Sequence, residues 1–551
     1  MSEVRPGPRR SQAAWLCMTG VTALFLGVSW LSFDQIEEDA FIFYRVAENL
    51  AGGDGFTFNR GDPPIECSSS LTYQLLLVPF ALLSLDPIVP SKLLGIALGV
   101  LALWLTHWLG RRLMDAPLFA CLPPLILAVS IPFYHWSQRG LETPLYVCTL
   151  LAAVCCVLHP RLSNRWYLPA FAIVCTRPEG SFLALGLVLI LSALPRRRQI
   201  EHFWGGVSIF LLLCGLLLAF RLFYFHDFVP NPFYTKFHGS LALGWAALRT
   251  YVTSGGVLWI LVPGLFAVPA GRRWSEDAVL IAGMLLCTTV WAVLGEDWKP
   301  YNRHVVPALP FLALLAVYAV RLVVARPVLR RLTASYFVAA CLWILLEARA
   351  VYDFTETWAN PLTHRDEPLL DPLARTPDSD RIGDNRQAAV GKFLRLNYPE
   401  HITIVYDQMG QTPWYAGLDK SFIDTLGLAT REVGVSLFEA RNRHGVLGLY
   451  RSISQAILST AWPEERRSLG KEGILDYIFE RDAHLILFHE QLLSLPNSVP
   501  SRLFRDPRLR ERYRPRFRLE GSVHVFEREG FGAAAAWKAP EGSTVVEVPS
   551  S

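Results

Sequence analysis

The feature that most constrains this chain is a series of apolar runs long enough to cross a bilayer of about 30 Å, nearly all of them before Ala350. The first, Ala13 to Phe33, follows a basic start at Arg5, Arg9 and Arg10. It is too long for a secretory signal, lacks a small-x-small cleavage site and runs straight into polar sequence, so it reads as a retained first span. Charged residues are 18% of the 551 and hydrophobic residues 52%, against roughly 25% charged in an ordinary soluble domain. The expected fold class is a polytopic α-helical membrane protein of about eleven spans with a small C-terminal α/β domain. Residues 1–350 are expected to form the membrane domain with a long first loop over 34–90, residues 351–530 a soluble domain, and 531–551 a disordered tail.

Orientation follows from the basic residues. With the N-terminus in the cytoplasm, the first span exits near Asp34, and the next cytoplasmic marker is Arg111-Arg112 after the span Ser91 to Gly110. Leu71 to Leu85 is apolar but short and reads as a helix lying in the interface. Later spans are expected at Pro117 to Phe133, Pro144 to Leu158, Phe203 to Phe225, Gly256 to Ala270, Ala278 to Leu294, Val305 to Val324 and Ala334 to Leu346. A short re-entering pair, or one broken helix, is expected from Trp166 to Leu194. Arg161 and Arg165, Arg196 to Arg198, Arg272-Arg273 and Arg326 to Arg331 then all face the cytoplasm. The polar stretches Glu37 to Ser70, His135 to Thr143, Phe225 to Ser240 and Gly295 to Arg303 fall on the opposite face, with the soluble domain. The net charge of +4 reports orientation first and implies no nucleic-acid partner.

The acids Glu37-Glu38-Asp39 stand just beyond the first span, ahead of a helical pattern of Phe43, Val46, Ala47 and Leu50. Capping of that helix is one reading; a carboxylate acting as general base on a hydroxyl is the other. Glu66, near the start of the second interfacial helix, has the same two readings. Arg139 and Glu142 border the span that begins at Pro144, and a local ion pair explains them as well as a function does. Arg177 and Glu179 lie between apolar runs, where ionisable groups are costly and usually functional. The loop Asp227 to Lys236 joins two prolines, aromatics and a lysine, as a rigid pocket lining would. Gly295 to His304 mixes acids, cations and aromatics suited to sugar stacking and phosphate pairing. Gly52 to Gly55 lacks the Lys-Ser/Thr of a phosphate loop and reads as a turn.

Read in order, Glu38-Asp39-Ala40-Phe41-Ile42, Gly53 to Asn59, Gly140-Leu141-Glu142-Thr143, Arg177-Pro178-Glu179-Gly180, Pro230 to Lys236 and Gly295-Glu296-Asp297-Trp298 form one pattern. It resembles the arabinofuranosyltransferase-like group of bacterial GT-C glycosyltransferases, related to the mycobacterial terminal arabinofuranosyltransferase. The resemblance spans roughly residues 13 to 350, with a weaker echo in Ile402 to Gly427. It implies a GT-C-like fold and a plasma (inner) membrane location in a bacterium, with the active site and C-terminal domain on the extracytoplasmic side. It also implies a polyprenyl-phosphate-linked sugar donor, arabinofuranose being the leading sugar, and inversion at the anomeric carbon. An acidic pair after the first span supplies the base; it is usually Asp-Asp and here is Glu38-Asp39, with Asp39 the first choice. The family's Gly-Gly-Asp-Trp corresponds to Gly295-Glu296-Asp297-Trp298, which carries over Asp297 and Trp298.

The cations available to the donor phosphate are Arg139, Arg177, Lys236 and Arg303. Candidate substrate contacts are Arg45, Glu66, Glu142, Glu179, Asn231, Tyr234, Asp297 and Trp298. The partners expected are the lipid-linked donor, membrane lipid, and a cell-envelope glycan, lipid or protein as acceptor. No His/Cys/Asp set has zinc spacing and no Gly-x-Ser-x-Gly elbow appears, so no cofactor is expected, while the sequence leaves a divalent metal open. Nine of the ten cysteines lie in expected spans and only Cys67 in a loop, which implies no disulfide framework. In the soluble part, Asn385 to Leu396 reads as a helix, and Ile402 to Tyr406, Leu485 to Phe488 and Val523 to Phe526 as strands. The basic stretch Arg502 to Arg518 suits either an anionic ligand or a solvated face. A secondary transporter and a lipid-linked glycan ligase or polymerase are the rival readings.

Overall fold

The protein is described by a computed structural model covering residues 8–31, 33–114, 116–195, 200–236, 245, 275–294, 303–324, 385–441, 469–531 and 537–548, with isolated positions between 442 and 468. In chain order the first helices are α1 (Pro8–Leu31), α2 (Ala40–Gly52), α3 (Leu71–Leu82), α4 (Ile88–Leu113), α5 (Leu122–Val129), α6 (Ile131–Ser137), α7 (Thr143–Leu158), α8 (Tyr167–Thr176), α9 (Gly180–Ala193), α10 (Phe203–Phe220) and α11 (Asn231–Lys236). Helices Glu276–Leu294 and Leu309–Val324 follow. Among the described residues five helical segments are long and apolar enough to cross a membrane, Gln12–Trp30, Ile88–Leu113, Phe203–Phe225, Glu276–Val293 and Arg303–Arg321. A sixth arises only if a bent pair counts as one span.

Among the described residues some of the expected spans are broken or short, for local reasons. The run expected to cross at Pro117 to Phe133 is broken, its halves Phe119–Val129 and Ile131–Ser137 meeting at 67°. Ser130 is extended there and Pro132 stands in the first turn of α6, where a proline starts a helix but does not continue one. The Trp166 to Leu194 pair is two short helices, α8 and α9, neither reaching the roughly 20 residues that span a bilayer. Their break is dictated residue by residue. Pro178 drives Arg177 to an extended backbone (φ −152°, ψ 147°), and a Cβ on Gly180 would collide with the Ile173 carbonyl oxygen. The spans expected at Gly256 to Ala270 and Ala334 to Leu346 lie outside the described residues.

The chain divides into two compact units, and the division differs from the expected boundary near residue 350. One unit holds Met1–Phe33, Ser91–Leu216 and Gly239–Arg375; the other joins Asp34–Pro90 and Leu217–His238 to Thr376–Ser551. The reason is a shared core in the second unit: Ile42 and Val46 of α2, with Phe58 and Cys67, pack among Val390, Phe393, Ile404 and Tyr406. The long first loop is therefore part of the α/β unit. Its second helix, α3, buries Tyr73, Gln74, Leu77 and Ala81 while exposing Leu75, Leu76 and Leu82, the two-faced pattern of an interfacial helix. Gln74 donates to the Phe43 carbonyl at 2.8 Å and ties α3 to α2.

The sheet of this unit has six strands in the order β2-β1-β3-β5-β4-β6: β1 Thr403–Tyr406, β2 Ser421–Asp424, β3 Leu485–His489, β4 Tyr513–Leu519, β5 Val523–Arg528 and β6 Val545–Glu547. β1 pairs parallel with both β2 and β3, and the remaining pairs are antiparallel. Alternation along β1 sends Ile404 and Tyr406 to the core under the Arg386–Asn397 helix, and Val405 to the one under the Arg431–Arg441 and Gly470–Glu480 helices. Asn385 caps the first of these, accepting from the Ala388 N–H. β6 lies in the segment expected to be a disordered tail; its pairing with β4 at Val545 to Leu519 gives it a partner. In the basic stretch Arg502 pairs with Glu472, Arg508 with Asp476 and Asp506, Arg514 with Glu529, Arg516 with Glu547 and Arg518 with Glu490. Those arginines belong to a solvated, internally paired face.

Candidate functional site

In the α/β unit the acids after the first span are held by side chains, not by helix capping. Asp39 occupies the N-cap position of α2 but makes no side-chain cap bond. Its carboxylate instead meets the half-exposed Lys236 ammonium at 2.7 Å. Glu38 accepts the Gly410 N–H at 2.7 Å, which pins the acidic pair to the loop after β1. That loop approaches so closely that a Cβ on Gly410 would collide with the Glu38 carbonyl oxygen.

Other expected substrate contacts in this unit are engaged as struts. Arg45 is 1% exposed and donates to the carbonyls of Phe58 (2.8 Å), Pro413 (2.9 Å), Gly417 (3.1 Å) and Lys420 (2.6 Å), its guanidinium stacked over the Phe58 ring. It clamps α2 to the turn before β2. Glu66 does not cap α3, which Ser70 caps; it forms a two-pronged pair with Arg221 at 2.8 and 2.9 Å. Burial pushes the Glu66 carboxyl up from its ordinary value, with the Arg221 charge opposing. Arg221 itself leaves from a π-helical turn, Arg221–Phe225, at the end of α10. Asn231 donates to the carbonyls of Gly427 (2.5 Å) and Leu428 (2.7 Å), and buried Tyr234 donates to Asp227, which also pairs with Arg431 at 3.3 Å. These bonds tie the segment from Asp227 to Lys236 to the Gly427-Leu428 turn and to Arg431.

The second group of candidates lies in the helical unit, clustered at the α8–α9 break. Arg177 donates to Glu142 at 2.7 Å and to Glu179, so it locks the break to the start of α7. His304 Nδ1 lies 3.7 Å from Glu179 and 3.3 Å from the Trp291 indole nitrogen. Arg303 stacks over buried Trp136 at 5.5 Å, and Arg139 donates to His135 Nδ1 at 3.2 Å. A cavity of about 10 Å³, water-sized, lies among Tyr146, Arg177, Glu179, Arg303 and His304. Asp297 and Trp298 lie outside the described residues. Among the described residues no group of three or more His, Cys, Asp or Glu is placed to hold a metal ion.

Three residues that sequence reasoning did not single out join these groups. Lys92, 0% exposed near the start of α4, donates to the Gln138 carbonyl at 2.9 Å. A lysine opening an apolar span is a signal that intramembrane charge would have flagged. Arg221 ends an apolar run in the same way. Asp407, following β1, carries no such signal, since an acid after a strand reads as an ordinary turn residue.

No family model matches the chain, and no curated protein matches it. Among solved structures it is similar to ArnT from Cupriavidus metallidurans bound to undecaprenyl phosphate, at 12% identity and a TM-score of 0.52, covering 95% of this chain and 100% of that one. The apo state of the same protein matches at 12% identity and a TM-score of 0.52, over 92% and 98%. The likeness shows that the chain shares the fold of that protein.

Proposed function

We propose that this chain is a membrane glycosyltransferase that moves a sugar from a polyprenyl-phosphate donor to an acceptor hydroxyl. The observation that carries the reading is Asp39: it stands at the start of α2 without capping it, beside Lys236. Its setting is a fold shared with a protein whose solved structure binds undecaprenyl phosphate. In the step proposed, the acceptor oxygen bonds to the anomeric carbon, the carbon–oxygen bond to phosphate breaks, and its electron pair leaves with the polyprenyl phosphate. The acceptor's proton passes to Asp39, or to Glu38 beside it, with inversion at the anomeric carbon. Lys236, beside Asp39, is the proposed partner of donor phosphate, since charge grows on that group as the bond breaks. Phosphate leaves without a general acid. Arg177, held by two carboxylates, is assigned to positioning instead.

The finer assignments rest on the motif resemblance: arabinofuranose as the sugar, a cell-envelope acceptor, and a plasma-membrane location with the acids outside the cytoplasm. The test is transfer of radiolabelled sugar from a polyprenyl-phosphate donor in membranes, with Asp39→Asn and Glu38→Gln at matched expression. Loss in Asp39→Asn with activity kept in Glu38→Gln supports Asp39 as base; full activity in both refutes the proposed base. Reporter fusions at Arg198 and Tyr352 are expected to read cytoplasmic and extracytoplasmic, respectively.

A further inference from the structure

The chain turns sharply between α10 and the short helix that carries Lys236. A π-helical turn, Arg221–Phe225, closes α10, and His226 after it takes a left-handed backbone at φ 54°. A non-glycine residue in that conformation costs free energy and persists where its surroundings over-determine it. Arg431, the first residue of the Arg431–Arg441 helix, supplies the hold. Its guanidinium donates to the His226 carbonyl and lies 3.3 Å from one Asp227 carboxylate oxygen. The other Asp227 oxygen accepts the Phe228 N–H at 2.8 Å and the Tyr234 hydroxyl. Arg431 therefore fixes the turn and, through Asp227, a side chain on α11.

α11 has six residues, Asn231–Lys236, far below the roughly 12–15 at which an isolated helix begins to hold its shape. Its place is set from outside, by the stretch from Gly427 to Phe438. Asn231 at its start donates to the Gly427 and Leu428 carbonyls. The buried Tyr234 ring packs on Phe438, centroids 5.4 Å apart, in a small core with Val435. Its hydroxyl reaches Asp227 and so Arg431. Lys236 is the last residue of α11, two positions beyond Tyr234, and its ammonium meets Asp39 at 2.7 Å. A half-exposed lysine stem is flexible, so the place of its ammonium depends on the place of the helix end beneath it.

We propose that Arg431 is a positioning residue for Lys236: by holding Asp227, and through it Tyr234, it sets the helix end that presents the ammonium to donor phosphate. This rests on the transferase reading, in which Lys236 is the partner of that phosphate. Arg431 itself touches neither phosphate nor sugar. Misplacing a reacting group by about 1 Å costs up to about 100-fold in rate, and loosening the turn at His226 and Asp227 moves the lysine on that scale.

The test is equilibrium binding of polyprenyl phosphate, the leaving group, to the purified full-length chain in detergent, with sugar transfer in membranes alongside. Lys236→Met, Arg431→Met, Tyr234→Phe and the double variant of Lys236→Met with Arg431→Met are compared with wild type, with thermal melting as the folding control. Lys236→Met removes a charge-assisted hydrogen bond and is expected to raise the Kd by about 10- to 100-fold. Arg431→Met is expected to raise it by about 10-fold, and Tyr234→Phe, which keeps the buried ring and loses only the hydroxyl, in the same direction. The double variant is expected to bind as Lys236→Met does, because Arg431 acts through the lysine; two merely structural losses would multiply. Where Arg431→Met does not fold, Tyr234→Phe with and without Lys236→Met makes the same comparison. Multiplying effects overturn the positioning role alone, as does a wild-type Kd in Arg431→Met and Tyr234→Phe beside a raised one in Lys236→Met. A wild-type Kd in Lys236→Met overturns the lysine as phosphate partner and the positioning role with it. A wild-type chain that neither binds polyprenyl phosphate nor transfers sugar overturns the transferase reading and this inference together.

Discussion

Replacing Asp407 by asparagine is expected to stabilise the protein, and increasingly so as pH rises from about 4 through about 7. Burial first, then the nearby charges of Asp424 and Glu38, push the Asp407 carboxyl up to about 7; the Gln408 side chain and the His489 main chain pull the other way. In an unfolded chain an aspartate titrates near about 3.9. The folded form thus binds this proton more tightly. Its stabilisation is complete below about pH 4 and is lost as pH rises through about 7. Three pH units at about 1.4 kcal/mol each give about 4 kcal/mol at pH 8 as an upper bound, and about one unit gives about 1.5 kcal/mol at pH 5. The substituted amide carries no charge in either state and escapes that cost. Two neighbours do not confuse the comparison. Asp424, pushed up to about 6, titrates in both proteins, and His489, held to about 4 by burial and by Arg386, stays neutral from pH 5 to 8. At about 2–4 °C per kcal/mol for a unit of this size, the melting temperature of Asp407→Asn should exceed wild type by roughly 5–15 °C at pH 8. Tryptophan-fluorescence melts of the purified full-length chain in detergent at pH 5 and pH 8 provide the measurement. A gap of equal size at both pH values, or a variant less stable at pH 8, would refute the reasoning.

Three further outcomes follow from the contacts. Gly410→Ala drives a methyl group into the Glu38 carbonyl and carboxylate, and should lower sugar transfer in membranes by more than about 10-fold while the melting temperature shifts by only a few degrees. Arg221→Ala leaves Glu66 buried without its ion partner and should cost about 3–5 kcal/mol; Glu66→Gln in the same background should restore part of it, read by thermal melts at one pH. Arg177→Lys replaces a fork that reaches both Glu142 and Glu179 with a single ammonium, and should lower the detergent-solubilised melting temperature by the equivalent of about 2–3 kcal/mol, with no gain from lysine's equal charge.

What the sequence made legible was decided by local rules. The break at Arg177-Pro178-Glu179-Gly180 is expected because the apolar halves on either side are short for spans, and the structure shows its cause within four residues: a proline that constrains the residue before it and a glycine at a close approach. The helix from Ala40 and the strands Thr403–Tyr406, Leu485–His489 and Val523–Arg528 lie where periodicity places them. The bend at Pro132 was missed because an apolar run was counted as a span without asking what a proline in its interior does. Partners far along the chain left no trace: Arg45 bonds carbonyls 368 to 375 positions away, and Asn231 bonds carbonyls 196 and 197 positions away. Their residue types alone suit a substrate contact as well as a clamp.

That distinction sorts the buried polar residues of this protein into two kinds. Arg45, the Glu66–Arg221 pair, Asn231, Tyr234 and Arg177 direct their polar groups to other parts of the chain, and each ties a loop or helix end that would otherwise leave the core unsatisfied. Asp39 forgoes the cap bond its position offers and pairs with the half-exposed Lys236, and Asp407 differs from all of these. Burial pushes its carboxyl up, and the Gln408 side chain and the His489 main chain offset that only in part. The fold gains an ion pair from the first arrangement and loses stability to the second as pH rises, so Asp407→Asn should improve it. A group that a structure holds against its own stability is one to examine for chemistry, and Asp407 stands in the unit that carries Glu38, Asp39 and the carboxyl ends of the parallel strands.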